Sequence, residues 1–169
     1  MIRVAFFLSM LLLVGCANHP SDGYAFDSTY DSSVRSVAVP VFENQTFATG
    51  VEVDLTEAII KEIQRSTPMV VVGSGQADSE LRGVIRSAQL RSLANDSTTG
   101  LTQTMSYKLT VDFEWTDART GKPIVRRKSF ASADVFVPSR PTGERLETGQ
   151  HATTQRLARD LVSELRGTW

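Results

Sequence analysis

The sequence has one cysteine, Cys16, and two histidines, His19 and His151, in 169 residues. A lone cysteine excludes a disulfide framework within the chain and any cysteine-built zinc site. Two histidines leave hydrolytic and metal-dependent mechanisms short of their usual bases and ligands. An excess of one charge is missing too: 18 Lys and Arg face 19 Asp and Glu, for a net charge of −1. A nucleic-acid binder normally carries a marked basic excess, so no nucleic-acid partner is expected. Internal repeats and low-complexity tracts are also missing. What is present is a hydrophobic content of 41% and a charged content of 22%, ordinary values for a globular chain, at a length that suits one domain better than two. These features predict a non-enzymatic protein with no catalytic residue, metal or cofactor.

The amino terminus does not read as part of a fold. Arg3 precedes an apolar run from Val4 to Val14. As a helix this run rises about 16 Å, roughly half of a ~30 Å hydrocarbon core, which is too short to span a bilayer but suits the apolar core of an export signal. The run leads into Leu13-Val14-Gly15-Cys16, which resembles the bacterial lipobox. That resemblance implies cleavage before Cys16 and acylation of its thiol, so that the only cysteine is the site of lipidation. Ala17, rather than an aspartate, follows it, a pattern that in enteric bacteria directs a lipoprotein to the outer membrane. Several acyl chains, at roughly 0.8 kcal/mol per buried methylene, hold a protein durably on a bilayer. The competing reading is an ordinary secretory signal followed by an incidental cysteine. Residues 1–15 are thus expected to be a lipoprotein signal peptide. Residues 16–33, polar and rich in Ser, Asp and Gly, are expected to form a lipidated tether whose Tyr24, Phe26 and Tyr30 pack against the domain.

Residues 34–169 read as a single α+β domain. Val34 to Phe42 is a first strand with Val37, Val39 and Val41 on one face; Pro40, which lacks an N–H, makes it an edge strand, or bulges or ends it there. Glu43 to Ala48 is a loop, and Thr49 with Glu52 forms a capping-box pattern. The helix that follows has an apolar stripe of Val51, Leu55, Ala58, Ile59 and Ile63, and Pro68 closes it. Met69 to Val72 is wholly apolar and reads as a buried central strand, completing a βαβ unit with parallel strands. Glu80 to Leu93 is a long strand. In the next, Met105, Tyr107, Leu109, Val111, Phe113 and Trp115 alternate with polar residues, so one face is buried and the other wet. Thr120-Gly121 turns the chain into a strand of roughly Pro123 to Val137, and the last helix buries Leu157, Ala158, Leu161, Val162 and Leu165 up to Gly167. The arrangement that buries every stripe at once is a two-layer sandwich, with two helices packed on one face of a mixed four- to five-stranded sheet.

Few residues invite chemistry. His151 reads as a solvated helix residue. Asp112 and Glu114 share a strand face about 7 Å apart, as strand exteriors commonly do, and Gly73-Ser74-Gly75 lacks the remainder of a phosphate loop. The basic residues carry more information. Arg82 and Arg86 share a strand, and Arg126, Arg127 and Lys128 form a run in another. Should the two strands neighbour each other, these cations converge and suit multivalent phosphate or carboxylate groups, since arginine engages such groups bidentately. The alternative is that they are solvated positions that discourage edge-to-edge pairing.

The lipobox, Gly23-Tyr24-Ala25-Phe26, the stretch VAVPVFENQTF (Val37 to Phe47), ADSELRGVI (Ala77 to Ile85), the alternating strand, DARTGK (Asp117 to Lys122) and the closing amphipathic helix occur in an order that resembles the LptE family of lipopolysaccharide-assembly lipoproteins. The resemblance implies an α+β fold with two helices against a sheet. It also implies a non-catalytic lipoprotein, lipid-anchored on the periplasmic face of the outer membrane, that plugs the LptD β-barrel. Such proteins bind lipopolysaccharide through basic residues, an implied feature that meets the separate reading of Arg82, Arg86, Arg126, Arg127 and Lys128 as candidate phosphate binders. The stretch VAVPVFENQT also resembles the first strand and loop of LpoB- and CsgG-type outer-membrane lipoproteins, which implies a peptidoglycan-synthase activator or a secretion component instead.

Overall fold

The computed structural model describes residues 34–95, 102–137 and 146–166. Eight elements follow in order: β1 (Ser36–Ala38), β2 (Glu43–Asn44), α1 (Val51–Ser66), β3 (Val70–Val71), β4 (Ser79–Asn95), β5 (Thr102–Asp117), β6 (Pro123–Phe136) and α2 (Leu146–Arg166). The strands form one sheet in the order β3-β1-β4-β5-β6, with β2 also paired to β4. β1 runs parallel to both β3 and β4, whereas β4, β5 and β6 form antiparallel hairpins. The expected two-layer α+β fold on a mixed sheet is what forms. The sheet has six strands rather than four to five, because Glu43–Asn44, expected as loop, pairs with Val84 and Ile85.

Both helices bury the stripes their periodicity defines. Leu55, Ile59 and Ile63 of α1 and Leu157, Leu161 and Leu165 of α2 are fully enclosed. They meet the inward row of the sheet, Leu81, Ile85, Leu109, Val111, Phe113, Trp115 and Val125. Burying such side chains contributes roughly 1.5–3 kcal/mol each. The charged side chains of α1 stay outside, where Glu57–Lys61 and Glu62–Arg65 pair at helical spacing.

Three local expectations are corrected. The Met69–Val72 run is not a central strand: only Val70–Val71 pairs, at the outer edge beside β1, and Val70 is 61% exposed while Met69 is buried. Conversely β1 is not an edge, since it lies between β3 and β4, but it does end two residues before Pro40. Thr49 does not cap α1. Gly50 holds that position with φ of 86° and no side-chain cap, while Glu52 accepts from the Gly50 N–H (3.3 Å) and from Asn44 Nδ2 (2.7 Å). The acid of the capping box is thus used, but a left-handed glycine takes the place of the threonine.

Phe42 lies over β4 at Gly83, where a Cβ would stand 2.1 Å from its ring. Its backbone N–H donates to Thr56 Oγ1 on α1 (3.1 Å), fixing the segment between β1 and β2. At the start of β4, Asp78 Oδ2 accepts from the N–H groups of Arg35 and Ser36 and from Ser36 Oγ, stitching β1 to β4. Asp117 closes the β5–β6 turn by accepting from the Arg119 and Thr120 N–H groups, with Gly121 at φ of 69°. β4 and β5, at 17 and 16 residues, outrun the helices: a strand of this length spans roughly 55 Å, against about 24 Å for α1 and 32 Å for α2. Leu90 and Leu93, toward the far end of β4, are accordingly exposed.

The basic concavity on the helix-free face

Because both helices cover one face, the other face of β4, β5 and β6 is open, and the register decides which polar residues meet there. Glu114 of β5 lies opposite Arg82 of β4 and Arg126 of β6. One row along, the ladder slips on both sides of β5, between Ile85 and Ser87 and between Val111 and Phe113. The slip on β6 leaves Lys128 and Ser129 facing Asp112, with Ser129 in the left-handed region at φ of 54°. Such bulges bend a strand, increase its twist and re-aim side chains.

Asp112 joins the two irregularities. Its Oδ1 accepts from the Ser129 N–H (2.8 Å) and its Oδ2 from Arg86 Nε (2.7 Å). The Ser129 N–H first, then Arg86, hold the Asp112 carboxyl below the usual carboxylate range, with Lys128 adding its charge. Arg86 also donates to Gln45 Oε1. Arg126 pairs with Glu114, which raises the pKa of the guanidinium, and Arg82 pairs with Glu80 at 2.9 Å.

The result is an open concavity of about 640 Å³ lined by all five expected cations, Arg82, Arg86, Arg126, Arg127 and Lys128. The structure therefore brings together two groups that lie forty residues apart in sequence. Arg127 is a partial exception: it reaches the rim, but its Nε is bound to Glu164 of α2 at 2.9 Å, on the helix side of the sheet. Sequence reasoning missed the acidic half of the site. Glu43, Glu80, Asp112 and Glu114 line the same concavity, as do Pro40, Val41 and Ser74. The only available signal was the alternation that placed Asp112 and Glu114 on the wet face.

The ion pairs here are exposed on their basic side, with arginine side chains 47–72% accessible. Pairs of this kind contribute about 0–1 kcal/mol, so they constrain side-chain direction more than they stabilise the fold. Chemically the surface can bind multivalent anions through guanidinium and ammonium donors. Among the described residues no group of three or more His, Cys, Asp or Glu is placed to hold a metal ion. His151 lies exposed on α2, remote from this face. Gly73-Ser74-Gly75 forms a turn, with Gly75 at φ of 90°. Cys16 and the proposed tether lie outside the described residues.

The fold is shared with other proteins at low sequence identity. A hypothetical protein from Chlamydia trachomatis has 11% identity and a TM-score of 0.55, over 80% of this chain and 97% of that one. PelC from Paraburkholderia phytofirmans, solved as a dodecamer, has 14% identity and a TM-score of 0.54, over 81% and 91%. At these identities the likeness is one of fold. No curated protein matches the sequence. The family model that matches is LptE, described as lipopolysaccharide assembly, and it covers residues 34–166, from just before β1 to the last residue of α2. With nearly the whole of the folded region inside that match, the chain belongs to the LptE family.

Proposed function

We propose that this protein is a lipid-anchored, non-catalytic component of lipopolysaccharide assembly that works at the periplasmic face of the outer membrane as the partner of an LptD-type β-barrel. On this reading residues 1–15 are removed, acylated Cys16 holds the protein on the membrane, residues 16–33 are the tether, and residues 34–169 are the working domain. Arg82, Arg86, Arg126 and Lys128, with Arg127 at the rim, bind the phosphates of lipopolysaccharide, and the polar sheet face supplies hydrogen bonds to the wet interior of the barrel.

The observation that carries this reading is the gathering of four cations on the helix-free face, with a fifth, Arg127, at its rim, in a chain of the LptE family. Phosphate suits such a surface because several guanidinium forks can share its oxygens, and hydrogen bonds to charged groups contribute about 1.5–3 kcal/mol each. The test is lipopolysaccharide binding by the protein and by Arg82→Ser, Arg126→Ser and Lys128→Ser combined. The triple variant should bind at least about tenfold more weakly with an unchanged fold, and equal binding would refute the assignment of these residues. Purification from a mild detergent extract should bring down a large β-barrel; recovery of a penicillin-binding protein instead would favour a peptidoglycan-synthase activator. Cys16→Ser should fold normally but leave the membrane fraction. Retention there without a partner would refute the anchor.

A further inference from the structure

Resting on that reading, we propose that Asp112 and Glu114 are built-in competitors for the ligand's phosphates, holding affinity low enough that a bound headgroup is released onward rather than retained. The arrangement is systematic. The charged residues that β5 contributes to the concavity are both acids, whereas those of β6 are all bases and those of β4 are Arg82 and Arg86 with one acid, Glu80. Glu114 has Arg82 and Arg126 across from it on the two neighbouring strands. About 7 Å along the strand, Asp112 sits between Arg86 and the Lys128–Ser129 bulge. A phosphate that reaches donors on both outer strands must therefore lie over a carboxylate of the middle one.

Neither carboxylate is free to withdraw. Asp112 is tied through both oxygens, to Ser129 N–H and Arg86 Nε, and Glu114 is held by Arg126 Nη2. Nor does binding require breaking these pairs. A guanidinium has five N–H donors; the ion pairs of Arg82 and Arg126 use Nη2, and Arg86 uses Nε and Nη1. Unused donors remain for a ligand, and the carboxylates stay beside it as fixed negative neighbours. The lining as a whole holds five cations against four carboxylates, an excess of one. An anion thus meets donors arranged for phosphate in a surface with little net attraction. That combination gives recognition without tight retention, which suits a protein that passes an anionic amphiphile on.

The magnitude follows from Coulomb's law. A unit charge about 6 Å from a phosphate, in water at ~0.1 M salt, changes affinity by about threefold. The experiment titrates the detergent-solubilised full chain with lipid A, a bisphosphorylated glycolipid, comparing wild type with Asp112→Asn, Glu114→Gln and the double variant. Glu114→Gln keeps the one oxygen that accepts from Arg126, so its melting temperature should stay close to wild type, whereas Asp112→Asn keeps only one of two accepting oxygens and turns an NH2 toward a donor. Where Asp112→Asn loosens the bulge, Glu114→Gln carries the comparison alone. Each substitution should tighten binding about threefold and the pair about tenfold, with the gain shrinking at high salt. Glu57→Gln on the outer side of α1, the same change in net charge at a distant site, should leave affinity unchanged. Equal or weaker binding by the folded amide variants would overturn the inference, by showing that the carboxylates serve to position the guanidinium groups. Absence of lipid A binding by the wild type would instead overturn the functional reading on which the inference rests.

Discussion

Gly83→Ala is expected to destabilise the domain by about 2–3 kcal/mol, although it adds one methyl group to a strand, where alanine is ordinarily the better residue by roughly 0.5–1 kcal/mol. The added Cβ would lie 2.1 Å from Phe42 Cε2, 2.5 Å from Cδ2 and 2.7 Å from Cζ. The ring must therefore retreat by at least about 1 Å to restore van der Waals contact. It has little room, being 2% exposed with its own N–H fixed to Thr56 on α1. Overpacking of this kind costs about 1–3 kcal/mol, and complete expulsion of the ring would approach the 3–5 kcal/mol of a phenylalanine truncation. A domain of this size loses about 3–5 °C per kcal/mol, so the melting temperature should fall by about 6–15 °C. The assay is a double-mutant cycle by thermal and urea denaturation. In a Phe42→Ala background the clash partner is gone, and Gly83→Ala should cost less than about 0.5 kcal/mol or stabilise slightly. An equal cost in both backgrounds would refute the claim that glycine is required there to seat the ring.

Two further perturbations address the joints of the sheet. The Asp78 carboxyl is held below the usual carboxylate range by Ser36 Oγ first and then by the Arg35 N–H. A depressed folded value means the ionised form supports the fold above the usual range and loses that support as pH falls through the folded value. Asp78→Asn should therefore melt below wild type at pH 7, with the difference closing as pH drops below about 4; a constant gap across that range would show that charge is not involved. Ser129, the left-handed residue of the β6 bulge, should accept glycine with a gain of about 0.5–1 kcal/mol and resist valine at a cost of about 1–2 kcal/mol, measured by urea unfolding.

The long-period features of the fold were legible because they depend on one segment at a time. Met105 to Trp115 alternates strictly, and its odd positions from Tyr107 to Trp115 are the buried ones. The stripes of both helices are likewise the residues enclosed between helix and sheet. Features that depend on two segments were read less well. Met69 to Val72 looked like a central strand because an apolar run does not reveal how many neighbours a strand has. Met69 is buried, Val70 faces out, and the strand is two residues at the margin. Glu43–Asn44 looked like loop because its pairing depends on where β4 passes.

The site divides in the same way. The convergence of Arg82 and Arg86 with Arg126 to Lys128 is expected of neighbouring strands; β4 and β6 are not neighbours, but they flank β5 and their cations line one concavity across it. The pairing of Arg86 with Asp112 and of Arg126 with Glu114 depends on cross-strand register and on two ladder slips, neither of which a single strand's pattern encodes. Arg127 shows the limit most clearly, since its partner Glu164 is thirty-seven residues away on a helix.

The mismatch in length between hairpin and helices gives the sheet a rooted end and a free one. Around Leu81 and Ile85 every rung is backed by a helix, and bending it would disturb the packed interior. As far as Ser92 the ribbon is still backed, since Met105 opposite it packs on the core and the adjoining Phe136 is buried against Gly149 of α2. Beyond Ser92 it is held by its own rungs, which slip at Ala94 and Asn95. Amide protons there should exchange with solvent far sooner than those near Leu81. The free end can therefore yield while the rooted end, and the surface on it where cations and carboxylates interleave, keeps its shape.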